Sequence, residues 1–158
     1  MKITILTLFP EMFDGFLTTS IIKKAILQHR VSVECVNIRD YTLDKHTRTD
    51  DAPFGGGAGL VMQVQPVADA LAARTSPDAH CLMMTPQGKP FTHRDAHRLA
   101  QCSHDLVLIC GHYEGFDERI RSFADEEVSI GDYVLTGGEL PAMVISDAII
   151  RLLDEVIA

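Results

Sequence analysis

Ser129-Ile130-Gly131-Asp132-Tyr133-Val134-Leu135-Thr136-Gly137-Gly138-Glu139-Leu140-Pro141 is the stretch that decides the fold class of this chain. Tyr133 to Thr136 have the composition of a short strand. Gly131 stands before them and the pair Gly137-Gly138 after them. Glycines so placed mark a tight turn or a close approach of backbone to a ligand. Pro141 then opens a helical pattern, at a position where its missing N–H is no loss. The result is a strand, a glycine turn and a helix N-terminus with free N–H groups. It is either a structural αβ connection or a ligand seat.

The rest of the chain fits around such a unit. Downstream, Pro141 to Val156 reads as a helix with Val144, Ile145, Ala148, Ile149, Leu152 and Leu153 on a broad apolar face. Asp147 and Arg151, spaced i, i+4 on its other side, are placed to pair. Upstream, Ile3 to Phe9 is a nearly continuous apolar run, as in a strand buried on both faces. Pro10 to Phe13 ends it in a short helical turn, Ser20 to Gln28 is a helix and Val31 to Ile38 a second strand. Strand, helix, strand makes a βαβ unit and hence a parallel sheet. Pro66 to Arg74 and Thr92 to Ala100 are further helices, the latter capped by Thr92. Cys81 to Met84 and Asp105 to Cys110 are buried strands. They end in the polar turns Thr85-Pro86-Gln87-Gly88 and Gly111-His112-Tyr113-Glu114-Gly115. Ligands of open α/β sheets bind outside the carboxyl ends of strands, so these turns and the opening stretch are expected to meet at one site. Arg39 to Gly59 is a long polar loop closing on Pro53-Phe54-Gly55-Gly56-Gly57-Ala58-Gly59, either a flexible linker or a loop that admits a ligand.

Composition bounds the possibilities. At 158 residues, 46% apolar and 23% charged, the chain suits one globular domain with a sizeable core. No apolar run is long enough for a membrane span, and the first residues read as a strand rather than a signal peptide. Cys35, Cys81, Cys102 and Cys110 lack CxxC spacing and read as reduced, mostly buried thiols of a cytoplasmic protein. The net charge of −8 disfavours tight nucleic-acid binding by this domain alone, since phosphate contacts need clustered Lys and Arg.

The seven histidines are dispersed, so no metal site is expected. No GxSxG elbow occurs, and Cys110 has no marked helper for nucleophilic work. The glycines after Pro53 fit neither GxGxxG nor a Walker loop. What remains is a glycine-lined pocket with few charged groups, suited to a nucleoside-like ligand. The residues by themselves define a ligand class and no reaction.

Five blocks resemble the bacterial tRNA (guanine-N1)-methyltransferases of the SPOUT superfamily. They are Leu8 to Phe13, Pro53 to Gly59, Thr85 to Gly88, Gly111 to Arg119, and Ser129 to Met143, in that order along the whole chain. The resemblance implies an α/β SPOUT fold, a parallel sheet flanked by helices with a C-terminal deep trefoil knot, over residues 1–158. It further implies S-adenosylmethionine bent inside the knot, a homodimer with active sites between subunits, and a cytoplasmic enzyme. The resemblance also implies transfer of the methyl group to N1 of the guanine immediately 3′ of the anticodon of tRNA.

Carried over residue by residue, the cofactor contacts fall on Thr85, Pro86, Gly111, Tyr113, Ile130, Gly131, Asp132, Tyr133, Val134, Leu135, Gly138 and Pro141. Arg151 matches the arginine that holds the guanine O6 and stabilises charge as N1 loses its proton. Glu114 matches an acidic residue near the cofactor, with Mg2+ as a further candidate there. Gly57, Ala58 and Gly59 would border the flipped guanine. Ala58 and Leu60 depart from the proline and methionine common at these places in relatives. A linker aspartate and a helical tRNA-binding domain, both expected of the family beyond this region, have no counterpart in residues 1–158. Two other functions stand beside this one. The chain could bind S-adenosylmethionine and dimerise without efficient transfer, or it could be a nicotinamide-dependent oxidoreductase. The lack of glycines after the first strand argues against the latter.

Overall fold

The computed structural model describes residues 1–51, 61–111 and 116–157. Five strands form one parallel sheet: β1 (Lys2–Thr7), β2 (Ser32–Asn37), β5 (His80–Pro90), β6 (Leu106–Cys110) and β7 (Glu126–Ser129), in the order β2-β1-β6-β5-β7. A separate two-stranded antiparallel ribbon, β3 (Asp50–Asp51) with β4 (Val61–Met62), occupies part of the long polar loop. The central strands are buried on both faces because their side chains alternate between two cores. Ile3, Ile5, Leu82, Met84, Leu106 and Leu108 point to one face, and Leu6, Cys81, Met83, Val107 and Ile109 to the other. The first face is covered by α2 (Ser20–Leu27), α4 (His93–Ala100) and α5 (Glu139–Ile150), through residues such as Ile22, Leu99 and Ile145. The second is covered by α3 (Val64–Arg74) through Val67 and Ala70, with Ile38 and Ile120 beside them. This is the expected α/β architecture with a parallel sheet flanked by helices.

Two local devices set helix ends. Thr92 caps α4 as expected, and the cap is a full box. Its hydroxyl accepts the Asp95 N–H at 3.2 Å, while the Asp95 carboxylate accepts the Thr92 N–H at 2.9 Å. The end of α2 closes in a Schellman motif: Arg30 N–H donates to Ala25 O at 2.9 Å and His29 N–H to Ile26 O at 3.1 Å. The motif needs a left-handed residue at position 29, and His29 has φ 58°. A side chain there carries a backbone penalty that glycine does not. Replacing His29 with glycine is therefore expected to stabilise the fold by about 0.5–1 kcal/mol, the left-handed penalty less the extra entropy of an unfolded glycine. Urea unfolding measures it, and a loss of stability would mean that the side chain does more than occupy the turn.

The structure departs from the sequence reading in three places. Tyr133 to Thr136 do not form a strand; they are bends and coil between β7 and α5. Tyr133 is 53% and Val134 83% exposed, so the pleated, half-buried surface that their propensity describes is absent. The strand before the glycine turn is instead β7, which pairs with β5 at the sheet edge. Second, β5 does not stop at Met84. Met84 and Lys89 both pair with Val128, so Thr85 to Gly88 loop out and the strand resumes. Third, α5 ends at Ile150 rather than Val156. Leu152 and Leu153 bond back to the carbonyls of Ile149 and Ile150, three residues earlier, yet still pack on the core. Asp147 and Arg151 share a backbone bond but no ion pair.

The cysteines are free thiols. Burial pushes Cys81 up to about 12 and Cys35 up to about 11, keeping both protonated at neutral pH.

Candidate functional site

A cleft of about 420 Å³ opens at the carboxyl edge of the sheet, where β5, β6 and β7 end side by side. One wall is the looped-out segment Thr85, Pro86 and Gln87; another is the run from Val128 to Gly131. Tyr133 to Gly138 and Pro141 complete it, with Gly111 and Phe116 as further contributors. A volume of this size is within the usual range for a small-molecule pocket.

The cleft is held by short-range bonds that the sequence encodes locally. The Ser129 hydroxyl donates to Gly131 O at 2.9 Å and accepts the Gly131 N–H at 3.2 Å, folding the turn after β7. Phe91 N–H donates to Ser129 O at 2.8 Å and ties that turn to β5. Gly138 N–H donates to Gly111 O at 2.8 Å, pinning the start of α5 onto the end of β6. A Cβ on Gly138 would lie 2.8 Å from Cys110 Cα and 2.9 Å from Gly111 N, so only glycine permits this approach. Pro141 is the third residue of α5, inside the turn whose N–H groups have no helical partner, and so does not break the helix.

Beneath the turn lies a buried polar contact. Glu139, 2% exposed at the first position of α5, accepts the Thr7 hydroxyl at 2.9 Å from the end of β1. The Thr7 oxygen in turn accepts the Phe9 N–H at 2.9 Å. A carboxylate at a helix N-terminus is favoured by the helix dipole. Burial, with Glu139 close by, pushes the Cys110 thiol well up, so Cys110 is no nucleophile at neutral pH.

Of the residues singled out for a cofactor, the cleft wall brings together Thr85, Pro86, Gly111, Ile130, Gly131, Tyr133, Val134, Leu135, Gly138 and Pro141. Asp132 is exposed and not part of the wall. Tyr113, Glu114, Gly57, Ala58 and Gly59 lie outside the described residues. Arg151 is not at this cleft. It caps the far end of α5, about 15 Å from Pro141 at 1.5 Å per residue. Sequence reasoning missed Phe116 and Arg121 as members of the wall and had Gln87 only as part of the Thr85–Gly88 turn expected there. The signal for Arg121 was its spacing of three from Glu118, which the 3₁₀ turn Glu118–Phe123 places on one side.

A doubly covered parallel sheet with a glycine-lined cleft over its carboxyl edge defines an open-sheet α/β protein, a class that binds ligands at that edge. Comparison with known proteins narrows this. The family model for "tRNA (Guanine-1)-methyltransferase TrmD" matches residues 1–158. The chain is 55% identical over 161 residues to the tRNA (guanine-N(1)-)-methyltransferase of Halalkalibacterium halodurans, covering 99% of this chain and 65% of that one. The enzymes of the same name from Staphylococcus carnosus and Spiroplasma kunkelii are 54% and 49% identical, each over 99% of this chain and over 64% and 58% of their own lengths. The chain belongs to the tRNA (guanine-1)-methyltransferase family. It spans 58% to 65% of the length of these three relatives.

Proposed function

We propose that residues 1–158 form the S-adenosylmethionine-binding, methyl-transferring domain of a tRNA guanine-N1 methyltransferase. The observation that carries this reading is the cleft itself. Its wall is glycine backbone and apolar side chains, with Gly138 packed so closely on β6 that a Cβ has no room. Such a wall accepts a flat nucleoside through backbone groups. Ile130 and Leu135 supply apolar cover. S-adenosylmethionine supplies an electrophilic methyl on sulfur. Held in this cleft, it would give that methyl to guanine N1 with its sulfur as the leaving group, and the N1 proton would pass to a base. In this reading Arg151 stabilises the negative charge that N1 deprotonation leaves on guanine, and Glu114 works near the methyl donor, with Mg2+ as a further candidate. Gly57 to Gly59 border the extruded base.

Arg151 meets a cleft-bound ligand only across subunits, since it stands a helix length away within its own chain. We therefore include a homodimer in the proposal. Exposed apolar side chains support it: Leu140 and Val144 lie one turn apart on α5, and the two elements that contact α5, α2 and the 3₁₀ turn Pro10–Phe13, expose Ile21 and Met12. Sedimentation at micromolar concentration is expected to give twice the 17.4 kDa chain mass, and a stable monomer would contradict it. A deep knot belongs to the same proposal. Its support is that β7 lies at one sheet edge while the following α5 returns to pack beneath β6 and β1. A cytoplasmic location accords with free thiols and a tRNA substrate. No described helix is long and apolar enough to cross a membrane.

Calorimetric titration tests the reading. S-adenosylmethionine is expected to bind with one site per chain and NAD not at all. Binding of NAD alone would sink the methyltransferase assignment of this cleft.

A further inference from the structure

Most of the cleft wall is backbone and apolar side chain, but its outer rim carries charge. Glu118 and Arg121 both line it, and their Oε2 and Nη1 atoms are 3.5 Å apart. Among the described residues of the wall, Arg121 is the one cation. Its guanidinium is aimed across the rim. Nη2 donates to Gln87 Oε1 at 2.9 Å, on the segment looped out of β5, and Nε lies 3.4 Å from Glu127 Oε1. Gln87 and Glu127 thus fix the orientation of the guanidinium, and its Nη1 edge faces Glu118. The Glu118 side chain is 79% exposed against 35% for Arg121. A pair so loose and so exposed contributes little to stability and exchanges readily.

A ligand made of a nucleoside and an α-amino acid needs two kinds of surface. The nucleoside is served by glycine backbone and apolar cover. The amino-acid end carries a carboxylate and an ammonium on one carbon, and burying either without a partner is costly. An arginine and a glutamate a few ångströms apart present the complementary signs at a matching separation. The guanidinium fork is the side chain best shaped to take a carboxylate. We propose that Arg121 and Glu118 seat the α-amino-acid end of the ligand, Arg121 taking its carboxylate and Glu118 its ammonium. The exposed Glu118 side chain needs only to rotate for the ligand carboxylate to take its place on Nη1. The rim then selects the whole methyl donor over adenosine fragments. This inference rests on the reading of the cleft as an S-adenosylmethionine site.

Two thioethers that differ in the amino-acid end alone separate the possibilities. S-adenosylhomocysteine carries it and 5′-methylthioadenosine lacks it. Calorimetric titration of both is done on the unaltered chain and on Arg121→Gln, Arg121→Lys and Glu118→Gln, each checked for an unchanged melting profile. Arg121→Gln is expected to weaken S-adenosylhomocysteine about tenfold or more, the scale of a charged hydrogen bond, and to leave methylthioadenosine unchanged. Arg121→Lys recovers part of the loss, and Glu118→Gln weakens the same ligand to a smaller degree. Equal losses for both ligands would show that Arg121 shapes the rim rather than reading charge, and the inference would fall. It would fall equally if Arg121→Gln changed neither, or if the unaltered chain bound both ligands with one affinity. If the unaltered chain bound neither, the cleft reading would fail and this inference with it.

Discussion

Replacing Gly138 with valine is expected to abolish calorimetrically detectable binding of S-adenosylmethionine and to cost the fold about 1–3 kcal/mol, the usual range for overpacking a core. A Cβ at this position lies 2.8 Å from Cys110 Cα, 2.9 Å from Gly111 N and 3.1 Å from Met84 Cβ. The two nearest atoms are backbone at the end of β6, so no rotamer change relieves the contact. The turn itself must move, and with it goes the 2.8 Å bond from Gly138 N–H to Gly111 O that pins α5 onto the sheet. Gly137, Gly138 and Pro141 all line the cleft, so a displaced turn changes the wall directly. Alanine brings the same Cβ and is expected to act in the same direction with a smaller loss.

The control is Gly15→Ala in the short helix α1 (Asp14–Leu17), where an added Cβ would meet nothing within 4 Å. That change is expected to leave binding untouched and to stabilise the helix slightly. Titration and urea unfolding on the same preparations separate the two effects. A folded valine variant with undiminished affinity would remove this turn from the site.

Legibility of the chain followed burial. Runs such as Ile3 to Leu8 and Leu106 to Cys110 announced themselves because a strand covered on both faces has no polar side to disguise it. β7 did not, because Glu126 and Glu127 open it. Their charges are met by neighbours distant in sequence: Arg98 donates to Glu126 at 2.7 and 3.0 Å, and Arg121 faces Glu127. Conversely, Tyr133, Val134 and Leu135 look like a strand and instead line the wall of the cleft beyond β7. The convergence of Thr85, Gly111 and Gly138 was foreseen from the rule for carboxyl ends of parallel strands and from resemblance. Gln87 and Arg121 were not foreseen as partners, since only the pairing of β5 with β7 brings their segments together. Glu139 gave no signal either. A glutamate opening a helix ordinarily faces water and the dipole, and its burial against Thr7 is a tertiary event.

Residues 1–158, prepared as a separate protein, are expected to bind S-adenosylmethionine yet to methylate unmodified tRNA at least about 10²-fold more slowly than the longer Staphylococcus carnosus relative, the lower bound of what a positioned general base contributes. Guanine N1 bears a proton at neutral pH and must lose it before it attacks the methyl group. The described residues offer little to take that proton. Glu118 sits at the outer rim with Arg121. Glu139 is 2% exposed and already accepts the Thr7 hydroxyl. Asp147, like Arg151, stands away from the cleft of its own chain, and the family resemblance gives it no part in the proton transfer. Arg151 is a permanent cation; it stabilises charge but accepts no proton. Substrate binding is expected to be weak as well, because a net charge of −8 opposes the tRNA phosphates. The measurement is transfer of a radiolabelled methyl group to unmodified tRNA by both proteins, beside a calorimetric titration showing that both bind the methyl donor. Comparable turnover would place the base within residues 1–158. Glu114 would then be the first residue to replace, with glutamine expected to lower turnover and leave donor affinity unchanged.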